Sequence, residues 1–206
     1  MKKVAVLAAN GKSGSLITKE ALKQGYDVTA FVRKGVNADA KTIIKDIFEL
    51  ESADLYGFDY IIDAFAQWQD LDLHLKHIQH LAKILKDSKA KLIVVGGAGS
   101  LYMDKEHKIR LMDTADFPKE YLGVARATAE VLDFLREQRD FKWLYISPAA
   151  MFDYEGELGE YELIGEEFKT NSKGESRISY KTYSKALIDN AFKDEFVFKR
   201  ISFIQK

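Results

Sequence analysis

Val4-Ala5-Val6-Leu7-Ala8 is an unbroken apolar run, the pattern of a strand buried on both faces of a parallel sheet. A glycine-bearing loop follows. Leu16, Ile17, Ala21 and Leu22 then recur at helical spacing over residues 15–24, and Gly25 stops the helix. The alternation continues. Strands are predicted at 27–32, 42–45, 60–64, 91–95 and 142–146, with a last one at 196–203. Helices are predicted at 49–56, at 71–86 with Leu75, Ile78, Ala82 and Leu85 on one face, from Pro118 to about residue 138, and at 180–190. Beyond Pro148 the pattern weakens, and Gly156, Gly159, Gly165 and Gly174 imply loops and short strands.

Strands alternating with helices imply right-handed βαβ units. The expected fold is therefore α/β: a Rossmann-type, doubly wound parallel sheet in three α/β/α layers. The 206 residues fit a single domain spanning 1–206, with 149–195 as a smaller substrate-side segment. No repeat, low-complexity stretch or linker marks a boundary.

Composition narrows the chemistry. With 31 basic against 32 acidic residues, nothing in the charge calls for nucleic acid or an anionic membrane as partner. The absence of cysteine excludes disulfides, thiolate nucleophiles and cysteine-bound metals. No apolar run approaches the roughly 20 residues of a membrane helix, and Asn10-Gly11 interrupts the first one too early for a signal peptide, so a cytoplasmic protein is expected. Monomer and homodimer both remain open.

The first strand leads through Asn10-Gly11-Lys12-Ser13-Gly14 into a helix, the setting of a dinucleotide-binding loop. One glycine lets the backbone approach a pyrophosphate, another lets helix and strand pack closely, and the helix N-terminus faces the phosphates. The spacing is Gly-x-x-Gly, with Ala8 where a first glycine would sit. At the end of the second strand an NAD-specific site would carry an acidic residue for the ribose 2′-hydroxyl. Here Arg33 and Lys34 stand instead, which suit a 2′-phosphate. NADP(H) is therefore expected over NAD(H).

These residues, with Lys45-Asp46-Ile47, Asp63-Ala64-Phe65, the run Gly96-Gly97-Ala98-Gly99-Ser100-Leu101, Ser147-Pro148-Ala149 and Ile178-Ser179-Tyr180, resemble a known family. It is the NAD(P)H-binding, NmrA-like and flavin-reductase-like branch of the atypical short-chain dehydrogenases, many of whose members are described as NADH-flavin reductases. The resemblance covers nearly the whole chain. It implies that Asn10, Gly11, Lys12, Ser13 and Gly14 hold the pyrophosphate, Arg33 the 2′-phosphate, Asp46 and Ile47 the adenine, and Ala64, Phe65 and Ala66 the ribose. Gly97 to Ser100 would face the nicotinamide. It also implies a small-molecule acceptor, and a flavin there is either a passing substrate or a bound cofactor.

Ordinary short-chain dehydrogenases use a Tyr-x-x-x-Lys pair to move a proton. Here Tyr121 begins the matching helix but Ala125 stands where the lysine belongs. Hydride transfer to a flavin- or quinone-like acceptor relies on proximity and orientation, and solvent can supply the proton. Ser100 is the candidate local donor, and Tyr102, Met151 and Phe152 are candidates for an apolar wall beside the acceptor. His74, His77 and His80 share one helix, but no carboxylate stands at a recognised ligand spacing, and no metal is expected. Two further readings stay open: a non-catalytic dinucleotide sensor of NmrA type, and an epimerase- or dehydratase-like enzyme.

Overall fold

The computed structural model describes residues 1–206. Strand β1 (Lys3–Leu7) shows why its sequence is apolar throughout. Val4 and Val6 enter one buried cluster, Ala5 and Leu7 the other, on opposite faces of the sheet. Helix α1 (Lys12–Lys23) and strand β2 (Asp27–Val32) follow, then β3 (Lys41–Ile44), β4 (Tyr60–Asp63), helix α2 (Leu73–Ile84) and β5 (Lys91–Val95). Helix α3 (Lys119–Glu137) leads into β6 (Lys142–Ser147). The remainder comprises β7 (Met151–Asp153), β8 (Tyr161–Ile164), β9 (Arg177–Ser179), helix α4 (Tyr180–Ala191) and β10 (Lys199–Gln205).

The main sheet has eight strands in the order β3-β2-β1-β4-β5-β6-β10-β8. Its pairs are parallel except that β8 runs antiparallel to β10 at the edge. A separate parallel pair joins β7 to β9. Helices α1 and α4 pack together, with Ile17, Ala21 and Leu187 in the cluster that holds Val4 and Val6. Helices α2 and α3 pack together with Ile78, Leu81, Val131 and Leu132 in the other cluster. This is a Rossmann-type three-layer fold. The chain passes from β1 to β2 on one side and returns to β4 on the other, so a crevice opens at the carboxyl ends of β1 and β4.

Two expectations need correction. Residues 49–56 do not form a helix: a 3₁₀ turn at Ile47–Glu49 is followed by turns. Asp46 Oδ1 accepts from Phe48 N–H at 3.0 Å and Asp54 Oδ2 from Glu51 N–H at 2.7 Å, so side chains take amides that a helix would need. In addition, much of the 149–195 segment is structural rather than substrate-side. Helix α4 is a layer helix whose buried Tyr183 donates to the Ile146 carbonyl at 2.7 Å. Its C-terminus is capped by buried Lys91, which donates to the Ala191 and Lys193 carbonyls, both at 2.8 Å.

Candidate dinucleotide site

Helix α1 begins at the carboxyl end of β1. Its N-cap is Gly11, no side chain caps it, and its first turn holds no acidic residue. The first helical bond runs from Ser15 N–H to Gly11 C=O, which leaves the amides of Lys12, Ser13 and Gly14 without a protein acceptor. Three unpaired donors at the positive end of a helix fit a pyrophosphate. The cradle is shaped by Gly14: a Cβ there would lie 2.4 Å from the Ala8 carbonyl oxygen and 2.9 Å from Ala9 Cα. Lys12 lies over the Tyr154 ring, 4.8 Å from its centre.

Ala8 adopts a left-handed backbone with φ of 54°, and its carbonyl accepts from Gly11 N–H at 2.9 Å. The position thus has the conformation of a glycine but carries a methyl group. Ala8→Gly removes a cost of about 1 kcal/mol per left-handed residue, partly offset by the greater entropy of an unfolded glycine. A rise in Tm of about 2 °C is expected, with NADPH affinity unchanged. A thermal melt showing a fall instead would mean that the Ala8 methyl contributes packing that outweighs the strain.

The loop is tied to the turn after β2. Asn37 Nδ2 donates to Asn10 Oδ1 at 3.2 Å and to Ala9 C=O at 3.4 Å, and Asn10 Nδ2 donates to Lys34 C=O at 3.4 Å. Asn37 Oδ1 in turn accepts the amides of Asp39 and Ala40. Asn37 is not among the expected site residues; its local signal is the Asn-x-Asp-Ala turn pattern. Arg33 and Lys34 are exposed and form no ion pair. The neighbouring acid Asp39 is taken up by Lys19 at 3.8 Å. Asp46 is half-buried with one oxygen committed to its turn, and Ile47 is half-buried beside it.

At the end of β4, Ala64 is buried, Phe65 half-buried and Ala66 exposed. Asp63 orders this segment: Oδ1 accepts Phe65 N–H at 3.0 Å, and Oδ2 meets His77 Nε2 at 2.8 Å. His77 Nδ1 faces the Leu73 carbonyl at 3.1 Å. Both partners are acceptors, so only the doubly protonated ring satisfies both. Burial disfavours that charge, but the Asp63 carboxylate and the hydrogen bonds outweigh it and raise the His77 pKa. Phe65 stacks on His77 with ring centres 4.3 Å apart. His74 is also buried, which lowers its pKa, and its Nε2 lies 2.8 Å from Gln67 O. His74 and His77 are thus interior supports of the β4 loop, while His80 Nε2 lies 2.9 Å from the Leu50 carbonyl.

A pH dependence follows. A histidine with a raised folded pKa contributes stability that is complete below its ordinary value near 6.5 and lost as pH rises through the folded value. His74 acts below that window, where falling pH destabilises. Lys91, pushed down by burial to about 8, adds an opposite slope above it. Between pH 6.5 and 8, wild-type unfolding free energy should therefore fall with pH, by at most about 1.4 kcal/mol per unit. Asp63→Asn should flatten that slope. Equal slopes in urea unfolding of the two proteins would remove the assignment.

The β5 loop is held at both ends of one residue. Gly97 N–H donates to the Tyr145 hydroxyl at 3.0 Å, and Gly97 C=O accepts from Ser147 Oγ at 2.8 Å. The glycine run is explained by close packing: a Cβ at Gly96 would lie 2.1 Å from the Tyr145 ring, one at Gly97 2.6 Å from Thr128 Oγ1, and one at Gly99 2.6 Å from Ala125 Cβ. The Ala125 methyl fills the space that a side chain on Gly99 would need.

Ser100 is not placed as expected. It is 2% exposed, its Oγ faces Arg200 Nη1 at 3.3 Å and its carbonyl accepts from Arg200 Nη2 at 3.2 Å. Its hydroxyl is turned toward Arg200 in the interior and away from the surface. Tyr102 is also redirected. Its ring stacks on His107 at 4.4 Å, with the Arg136 and Arg200 guanidinium groups 5.8 and 5.7 Å from its centre. Phe152 stacks on Tyr180 at 3.7 Å and packs edge-on to Tyr183, whereas Met151 stays exposed. Sequence reasoning did not find buried Arg200, paired with Glu166 Oε2 at 2.6 Å.

The glycine cradle, the unpaired amides and the position of the crevice fit a dinucleotide-binding protein of Rossmann type. The chain belongs to the NAD(P)H-binding family, whose model matches residues 8–190. It is 42% identical to an uncharacterized Bacillus subtilis protein, YwnB, over 91% of each chain. A Streptococcus pneumoniae structure, called a putative NADH-flavin reductase, is 44% identical over the full length of both chains with a TM-score of 0.97. A Bacteroides thetaiotaomicron structure, called a putative epimerase, is 30% identical over 99% of this chain and 97% of its own, with a TM-score of 0.84. No helix is long and apolar enough to cross a membrane.

Proposed function

We propose that the protein is an NADPH-dependent oxidoreductase that delivers hydride to a flavin- or quinone-like small molecule in the cytoplasm. The observation that carries this reading is the pairing of a complete dinucleotide cradle with a β5 loop that presents no proton-transfer pair. Ala125 packs against the Gly99 backbone where a catalytic lysine would stand, and Ser100 is turned inward. Reduced nicotinamide, when bound, supplies a hydride. The chain's own residues bind and orient: the α1 amides take the pyrophosphate, Arg33 and Lys34 the 2′-phosphate, and the Asp63-ordered loop the ribose. Tyr145 and Ser147 fix the Gly97 peptide from both sides, so the floor beneath the ring is set before binding. An acceptor of this class draws its proton from water and needs no buried acid.

The name of the pneumococcal relative supports this reading. The epimerase named in Bacteroides is a poorer guide, because sugar epimerisation of this type needs the tyrosine–lysine pair that position 125 lacks. The sensor reading is favoured by the same missing pair, and turnover separates the two. Steady-state oxidation of NADPH with FMN, riboflavin or a small quinone is expected to exceed the uncatalysed rate, with NADH a poorer donor. Binding of NADPH without turnover on any acceptor would make the protein a sensor.

A further inference from the structure

Trp68 and Tyr121 form the only aromatic pair in the chain with both rings at least half exposed, at 64% and 50%. Their ring centres are 6.3 Å apart at 74°, edge to face. Neither ring contributes to either buried cluster, so core packing does not account for them. Their location does suggest a use. Tyr121, Ala125 and Thr128 lie at i, i+4 and i+7 on one face of α3. Ala125 and Thr128 on that face touch Gly99 and Gly97, the loop at the carboxyl end of β5. Tyr121 continues the face one turn outward.

Trp68 reaches the same place from the loop that follows β4. That loop is anchored on both sides of the tryptophan. The Gln67 carbonyl lies 2.8 Å from His74 Nε2, and the Gln67 side chain accepts the amides of Trp68 at 2.8 Å and Gln69 at 3.0 Å. On the other side, Leu71 packs at the Cα of Gly123, where a Cβ would lie 2.8 Å from Leu71 Cδ1. The indole is thus presented by an anchored loop after β4, against Tyr121 at the start of α3.

The geometry points to Trp68 and Tyr121 as the aromatic side wall of the acceptor site, selecting planar conjugated rings such as isoalloxazine or naphthoquinone. This rests on the reductase reading for the acceptor's identity. It takes the place of Tyr102 and Phe152, each already stacked on another side chain of the protein. Two exposed rings at right angles offer one face for stacking and one edge for a lateral contact, and stacking on an aromatic ring is tolerant of ring substituents.

The test is binding of FMN, and separately of a small naphthoquinone, to the NADP⁺-loaded protein. Quenching of flavin emission serves as the stacking signature for FMN, and competition against FMN serves for the quinone. Saturable quenching is expected. Trp68→Ala and Tyr121→Ala should each weaken FMN binding about tenfold. Trp68→Phe and Tyr121→Phe should stay within about twofold, and NADPH affinity should not change in any of the four. Unchanged FMN affinity in both alanine variants, or no binding of either ring to the wild type, would overturn the proposal. Turnover with unaltered acceptor KM in the alanine variants would leave the reductase reading standing and remove this wall. Ring binding that depends on Trp68, without turnover, would keep the wall and remove the reductase reading.

Discussion

Arg33→Ala is expected to raise the KM for NADPH about 50-fold while leaving that for NADH within about twofold. The two cofactors differ only in the 2′-phosphate, so the ratio isolates that contact. Arg33 lies one residue beyond the end of β2, exposed and without an ion pair, so its guanidinium is free for a bidentate bond. Hydrogen bonds to charged groups contribute roughly 1.5–3 kcal/mol each, which sets the size of the loss. Lys34→Ala should cost less, about threefold, because an exposed point charge is screened by salt. The Arg33 effect should also shrink at high ionic strength. Equal losses for NADPH and NADH would mean that Arg33 stacks on adenine or supports the turn, and discrimination would then rest elsewhere.

The fold was legible where burial is uniform. β1, β2, β5 and β6 are buried on both faces, so their runs of apolar residues read directly as strands. The shape of the 10–14 loop was legible because its glycine is demanded locally: Gly14 is constrained by atoms of Ala8 and Ala9, only a few residues away. The 49–56 segment misled because helical periodicity carries no record of the Asp46 and Asp54 side chains capturing amides. The β5 glycine run was legible as a motif, but its physical cause was not, since Tyr145 and Thr128 come from elements far along the chain. The same limit explains Ser100. Its role depends on Arg200, which is a hundred residues away and reads in β10 as one more polar residue in an alternating strand. Exposed aromatics on loops carry no periodicity, so Trp68 gave no signal of its own.

Glu166→Ala is expected to be the most destabilising of these substitutions, by roughly 3–5 kcal/mol, because it strands a buried charge. The Arg200 side chain is fully buried in the strand beside β6. Its Nε and Nη2 donate to Glu166 Oε2 at 2.9 and 2.6 Å, and its Nη2 also reaches the Glu166 carbonyl at 2.9 Å. Burial lowers the Arg200 pKa, and the Glu166 charge and hydrogen bonds oppose that shift. Its other hydrogen-bond partners, Ser100 and Ser147, are neutral, so Glu166 is the only acid bonded to it. Glu166, by contrast, is partly exposed and also holds Arg136 at 2.8 Å, so it keeps a partner if Arg200 is lost. The pair is therefore asymmetric: Arg200→Met should cost less than Glu166→Ala, and Glu166→Gln should fall between wild type and alanine. For a chain of this length the alanine variant should melt about 10 °C lower. Because Arg200 also touches Ser147, which holds the Gly97 carbonyl, the folded fraction of the Glu166→Ala protein should show weaker nicotinamide positioning: a lower kcat with little change in the KM for NADPH. A loss of only about 1 kcal/mol in urea unfolding would mean that water reaches Arg200 once Glu166 is removed, and the β5 loop would then be held by Tyr145 and Ser147 alone.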